Sequence, residues 1–317
     1  MNIQVYKPGF DTKFINKDNS TTFINPEIVN LITLLSSAKH GVSLLSPSDA
    51  VFPMFKKVDI KILINGRLYL KLGDEIGNAR VKEDVKNIKK IFNNTTPQYH
   101  IITDLKIVNK NEEVLKNIKF DGVLTQCLEV GTYVEYEKIF LYKNYIINNK
   151  HRYTKIIYIG NSRDGARDAG ILGVLVNSKV KFDLYGNWDL EKWPMSKGKL
   201  LYSESQRVLS KYKYGVCLTE ELYVNFGHRT PRIYEYMLAG AIPFVETRYP
   251  RDLAVISEND FRVVNSGEEL KLKIKFLEKN EHYRKELQKQ GYKIVKKYFS
   301  GEIVKNKLLK ALNIKRN

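Results

Sequence analysis

Cysteine is nearly missing: Cys127 and Cys217 are the only two in 317 residues. That excludes a disulfide framework or a four-cysteine zinc site and fits a reducing compartment with both thiols buried. No run comes near the roughly 18 consecutive apolar residues that a membrane span requires. The first twenty residues also lack a basic start followed by an apolar core. Neither export nor stable membrane insertion is therefore expected, and a cytoplasmic location is. There is no Asp-x-Asp metal motif, and the glycine-containing turns lack the three-glycine spacing of a dinucleotide fingerprint.

What is present suits a globular protein. Apolar residues make up 43% of the chain, and 36.8 kDa can bury the cores of two ordinary domains. Lys and Arg number 53 against 35 acids, a balance of +18. Residues 271–317 alone hold 15 Lys/Arg against 4 Asp/Glu. Such a charge attracts a polyanion at long range, and a solvated helix face or an anionic membrane surface remains an alternative reading.

The order of elements points to α/β architecture. Strands are expected at 2–6, 42–45, 60–64, 100–103 and 122–125, with helices from Pro26 and over 79–92. After Lys150 the rhythm restarts with strands at 155–159, 181–185, 214–218 and 241–245 and helices at 166–177 and 232–239. Each half reads as a parallel sheet with helices on both faces. The polar, aromatic segment 142–153 is the boundary, and it lacks the composition of a free linker, so two packed domains around a hinge are expected. Ligands of such domains bind at the carboxyl ends of the strands.

Two segments carry candidate chemistry. Gly160-Asn161-Ser162-Arg163-Asp164-Gly165-Ala166-Arg167 joins a strand to a helix start with two arginines four apart, which can converge on a diphosphate. The same residues also read as a solvated first turn with an internal Asp164–Arg pair. Arg232-Ile233-Tyr234-Glu235 begins a short helix that stops at Gly240 before a strand. Its glutamate can accept ribose hydroxyls while the arginine faces phosphate, and a plain helical ion pair is the alternative. His228 precedes this helix and can reach phosphate or sugar; His40, His100, His151 and His282 read as structural or surface residues.

The helix Arg232-x-x-Glu235 followed by Ala239-Gly240-Ala241-Ile242-Pro243 resembles the nucleotide-sugar site of GT-B glycosyltransferases. Within that class the chain resembles the DNA β-glucosyltransferases of T-even bacteriophages. The matching segments are Arg163 and Arg167, Tyr185-Gly186-Asn187, Gly198-Lys199-Leu200, Arg232 with Glu235, Thr103-Asp104, and Glu27 at the first helix. The resemblance implies two Rossmann-like domains facing across a deep cleft, with the last helix returning to the first domain. Residues 1–148 with 299–317 would bind the acceptor DNA, and 149–298 the UDP-sugar.

It further implies Asp104 as general base and Glu27 on the sugar side. Arg163, Arg167 and Arg232 would hold the diphosphate, Glu235 the ribose, and the Leu200 backbone the uracil, with Ser162, Gly186, Asn187, Glu220 and His228 completing the donor site. The implied reaction is inverting transfer of a sugar, glucose foremost, onto 5-hydroxymethylcytosine or 5-hydroxymethyluracil flipped out of double-stranded DNA. Arg67, Lys71, Lys106 and Lys110 are the candidate phosphate contacts. Mg2+ or Mn2+ would stimulate without a structural site, and a monomer is expected. The chain departs from the family at Leu105-Lys106-Ile107-Val108 and at Arg67-Leu68-Tyr69-Leu70-Lys71-Leu72-Gly73, where the family has a glycine-rich loop. A cell-surface polysaccharide or lipid glycosyltransferase at the inner membrane face and a non-enzymatic nucleic-acid-binding module are the competing readings.

Overall fold

The computed structural model describes residues 1–7, 26–45, 55–64, 86–93, 95–102, 118–125, 136–138, 152–162, 166–200, 202–225, 227, 229–299 and 301–315. They form two compact units, Met1–Tyr142 with Gly301–Asn317, and Lys143–Ser300. The sequence places these divisions at 148 and 298.

The first unit holds β1 (Asn2–Tyr6), α1 (Pro26–Ser37), β2 (Gly41–Leu45), β3 (Ile60–Ile64), β4 (Gln98–Ile102), β5 (Gly122–Thr125) and β6 (Tyr136–Lys138). The strands pair in parallel in the order β2-β1-β3-β4-β5-β6. β3 shows why the sheet is covered on both faces: Ile60, Ile62, Leu63 and Ile64 are all buried, the near-continuous apolar run of a parallel strand. Pro26 opens α1, where its fixed φ suits a first helical turn. Leu31, Leu34 and Leu35 bury the inner side of that helix. His100 is buried on β4, stacked at 5.2 Å on Phe120.

The second unit contains β7 (Tyr153–Ile159), α2 (Ala166–Gly170), a π-helical segment (Ile171–Val176), β8 (Phe182–Tyr185), α3 (Tyr202–Leu209) and β9 (Tyr212–Cys217). It continues with α4 (Glu221–Asn225), α5 (Arg232–Leu238), β10 (Ile242–Glu246), β11 (Val263–Val264), α6 (Gly267–Lys279) and α7 (Glu281–Phe299). Its parallel sheet has the order β11-β10-β9-β7-β8. Tyr158, Trp188, Trp193, Tyr214 and Phe244 anchor a core closed on one side by Ile171, Val174 and Leu175 of the π-helical segment and by Leu270, Ile274 and Leu277 of α6. Ser266 caps α6 by accepting from the Glu269 amide at 3.2 Å, and Glu269 reaches back to the Asn265 amide at 2.8 Å.

Three features differ from the pattern in the sequence. The expected helix over 166–177 widens into π turns at its apolar stretch. α3 fills the connection between β8 and β9, and β6 and β11 add short strands at sheet edges. Residues 86–91 are the helical part of the expected 79–92 segment that falls among the described residues.

α8 (Gly301–Ala311) follows the second unit in sequence but belongs to the first. It packs on α1 through a face that includes Val304, Leu308 and Leu309. Just beyond it, Asn313 Nδ2 donates to the Tyr99 hydroxyl at 3.2 Å. Leu308→Ala should therefore cost about 2–5 kcal/mol and act on the first unit. Hydrogen exchange followed by mass spectrometry should show faster exchange in β1, β4 and α1 while β9 and β10 stay protected.

Candidate functional site

The sheet of the second unit changes direction at β7, with β8 on one side and β9 on the other. Right-handed crossovers put the connecting helices on opposite faces, so the turns leaving β7 and β9 part at their carboxyl ends. A crevice of this kind is where open parallel sheets offer backbone amides to a ligand.

The turns after β7 and β8 are stitched into one surface. The Gly160 amide donates to Tyr185 O at 2.9 Å, and the Ser162 amide to Asn187 O at 3.1 Å. The Asn187 amide returns a bond to Asn161 Oδ1 at 2.9 Å, and the Trp188 indole donates to Gly160 O at 2.6 Å. Gly186 has φ +142°, and a Cβ there would lie 2.0 Å from Gly160 O. No other residue fits that close approach. The Gly186 amide in turn donates to Gly198 O at 2.9 Å, which ties the Gly198-Lys199-Leu200 segment to the same surface. Ser162, Gly186, Asn187 and Leu200 are thus brought together. Beneath them the indole of Trp188 packs edge-on against Trp193 at 5.9 Å and Tyr158 at 6.1 Å.

Asp168 adds a support. It is buried on α2, is paired with Lys192, and accepts from Ser162 Oγ at 3.5 Å. Arg167 lies on the same short helix, adjacent in sequence.

The opposite wall is α5. Glu235 is buried, and its Oε2 accepts from Arg232 Nη1 at 2.6 Å. Burial opposes the charged guanidinium and is the largest single influence, but Glu235 together with Tyr236, Cys217 and Tyr249 outweighs it, so Arg232 is held above its ordinary pKa. The Tyr236 ring fills the space over Gly215, where a Cβ would come within 2.5 Å of it. Its hydroxyl donates to Ile157 O at 3.2 Å and lies 3.4 Å from Val216 O. These contacts fix α5 across β7 and β9, over the point where the sheet changes direction. Gly240, at φ +72°, ends this segment before β10.

Around this wall, Arg229 pairs with Asp252 at 3.1 Å and the Thr230 and Tyr249 hydroxyls are hydrogen-bonded. Glu220 is buried just after β9, and its carbonyl accepts the Tyr223 and Val224 amides that start α4. Cys217 is buried at the end of β9, and burial pushes its thiol far up, so it is protonated and packs as a small apolar group.

Of the residues the sequence points to, Ser162, Gly186, Asn187, Leu200, Glu220, Arg232 and Glu235 all lie at the carboxyl edge of one sheet. Glu27 and Arg167 lie on α1 and α2. Asp104, Arg67, Lys71, Lys106, Lys110, Arg163 and His228 lie outside the described residues. Asp168, Trp188 and Tyr236 shape the site without a motif to announce them, and Asn161 falls within the turn singled out in the sequence with no role given to its side chain. Only the adjacency of Trp188 to the Gly186-Asn187 step signals its role. Among the described residues no cluster of three His, Cys, Asp or Glu side chains fits a metal ion, and no helix is long and apolar enough to cross a membrane.

Comparisons with known proteins agree with this fold. A glycosyl transferase-like family model matches residues 167–309. No curated protein matches by sequence. The DNA-modifying enzyme β-glucosyltransferase superimposes with a TM-score of 0.73 at 17% identity, covering 99% of this chain and 100% of that one. The T4 phage enzyme in complex with UDP and Mn2+ gives the same values. Anabaena HepE in complex with UDP gives a TM-score of 0.61 at 10% identity over 99% and 100% of the two chains. Staphylococcus aureus TarM gives 0.55 at 15% identity over 80% of this chain and 54% of its own. The chain has the GT-B fold, and its residues 167–309 match a glycosyl transferase-like domain.

Proposed function

We propose that the chain is a UDP-sugar-dependent glycosyltransferase that moves a sugar, glucose foremost, to the hydroxymethyl oxygen of a 5-hydroxymethylpyrimidine in double-stranded DNA. The observation that carries the reading is the Arg232–Glu235 pair at 2.6 Å, with its carboxylate buried, over the β7–β9 switch. A carboxylate accepts about four hydrogen bonds, so the ion pair leaves Glu235 capacity for ribose hydroxyls. The joined 160–162 and 186–188 turns, held to each other by their own hydrogen bonds, border the space a diphosphate would fill. The acceptor is supported by the full-length fold likeness to a DNA-modifying β-glucosyltransferase and by the +18 charge.

In this reading Arg163, Arg167 and Arg232 grip the diphosphate, Glu235 accepts the ribose, and the Leu200 backbone meets the uracil. Ser162, Gly186, Asn187, Glu220 and His228 enclose the donor, and Glu27 lies beside the sugar. Asp104 takes the proton of the hydroxymethyl group as its oxygen attacks the anomeric carbon. The bond from that carbon to the diphosphate breaks in the same displacement, which inverts the configuration. UDP gains negative charge as it leaves, and fixed arginines stabilise that developing charge more than the ground state. The acceptor base is flipped out of the duplex, with Arg67, Lys71, Lys106 and Lys110 on the flanking phosphates. A divalent cation, as in the T4 enzyme's complex with UDP and Mn2+, would screen the charge of departing UDP.

A second reading, transfer to a polysaccharide or lipid at the membrane face, is favoured by the likeness to TarM, whose structure was determined with α-GlcNAc-glycerol and UDP.

Nucleosides from 5-hydroxymethylcytosine and 5-hydroxymethyluracil DNA, incubated with protein and a panel of UDP-sugars, should gain a hexose mass by mass spectrometry. Unmodified DNA alongside a glycosylated lipid or polysaccharide would decide for the second reading. Asp104→Asn should abolish transfer while duplex binding persists in an anisotropy titration. Arg232→Gln should lower kcat by roughly 10²- to 10³-fold, the loss typical of removing one donor aimed at developing charge. Gly186→Ala should separate the two turns and weaken UDP binding at least tenfold by calorimetry, with duplex affinity retained.

A further inference from the structure

α7 carries a stripe of lysines that no catalytic role absorbs. Lys285, Lys289, Lys293, Lys296 and Lys297 follow helical spacing on the side opposite Leu287, Gly291, Val295 and Phe299, which are buried. In the first half of the helix the charge is largely neutralised, since Lys285 pairs with Glu281 at 3.0 Å and Lys289 with Glu286 at 3.6 Å. The second half differs. No acid occurs between Glu286 and Glu302, and Lys293, Lys296 and Lys297 are exposed with no carboxylate partner among the described residues. Tyr298 is 43% exposed beside them, with Lys297 Nζ 4.9 Å from its ring centroid.

The packing of α7 on α5 decides where this charge lies. Gln288 Nε2 donates to Gly240 O at 2.8 Å, Gly291 packs against Met237, and the Phe299 ring lies tilted against Tyr234 with centroids 4.1 Å apart. The two helices therefore run antiparallel, and the last turns of α7 stand at the Arg232 end of α5. That is the carboxyl edge of the sheet, where the donor residues gather. The apolar side of α7 is spent on α5 and the core, so the helix has no apolar face to insert into a bilayer.

We propose that Lys293, Lys296 and Lys297, flanked by Tyr298, form a contact for the sugar-phosphate backbone of nucleic acid on the donor-binding unit. It is separate from Arg67, Lys71, Lys106 and Lys110, which all belong to the first unit. The inference rests on the proposed DNA acceptor. Compact ammonium groups on long stems suit phosphates along a flexible path and hold no base-specific information.

The test is fluorescence anisotropy of full-length protein with a labelled duplex across a salt series, with UDP binding measured on the same preparations. Replacing Lys293, Lys296 and Lys297 together by Gln should weaken duplex binding at least tenfold at about 0.1 M salt and flatten the log K against log salt slope by roughly 2 to 3. UDP affinity should stay within twofold. A control with Lys179, Lys181 and Lys211 changed to Gln removes the same charge from exposed sites at the amino edge of the sheet. The proposal is overturned if the α7 variant binds duplex as the unchanged protein does, or if the control loses as much. A protein that binds anionic vesicles and no duplex would sink the DNA acceptor as well, so the two failures are told apart by the unchanged protein alone.

Discussion

The backbone of Gly186 passes so close to the carbonyl of Gly160 that a single added carbon would sit 2.0 Å from the oxygen. That approach lets the turns after β7 and β8 exchange hydrogen bonds, and it draws in the 198–200 segment through the Gly186 amide. Trp188 holds the arrangement from below, since its indole satisfies the same carbonyl while its rings fill the core between Tyr158 and Trp193. A loop surface built this way is fixed before any ligand arrives.

The facing wall depends on a different balance. A carboxylate as buried as Glu235 is costly to desolvate, and an ion pair recovers that cost only with good geometry. Arg232 supplies a 2.6 Å contact one helical turn away and remains partly exposed. Glu235 thus has its ion pair inside the protein, while its guanidinium partner still reaches the surface. Tyr236 makes the placement rigid, because its ring needs the absent side chain of Gly215 and its hydroxyl bridges to β7. Sequence neighbours 235 and 236 therefore divide the work, Glu235 holding the ion pair and Tyr236 anchoring the helix.

Much of this was legible in the sequence because parallel strands are apolar runs with clear stops. Ile60–Ile64, Ile156–Gly160 and Ala241–Val245 need no tertiary information to be recognised. Short edge elements were not legible: Tyr136–Lys138 has too few residues to show alternation, and Val263–Val264 is a pair. α3 was hidden since Tyr202-Ser203-Glu204-Ser205-Gln206 is polar and lacks a helical apolar stripe. The π turns over Ile171–Val176 were hidden for the opposite reason, because an apolar run does not reveal its own winding. Within the site, Arg232 and Glu235 were visible as a spaced pair. The roles of Asp168 and Trp188 arise from bonds across 6 and 28 residues, which no local pattern encodes.

The kind of cation differs between two parts of the chain. Of thirteen arginines in the chain, eight fall between residues 152 and 251, whereas thirteen of the fifteen basic residues in 271–317 are lysines. Arginine offers a planar fork that stays charged when buried and can grip a diphosphate bidentately. Lysine keeps its hydration and acts as a point charge, adequate for a backbone that slides past. The sorting follows if a small diphosphate enters a built crevice while a long polyanion is held from outside, since only the first must be fixed to within the length of a bond.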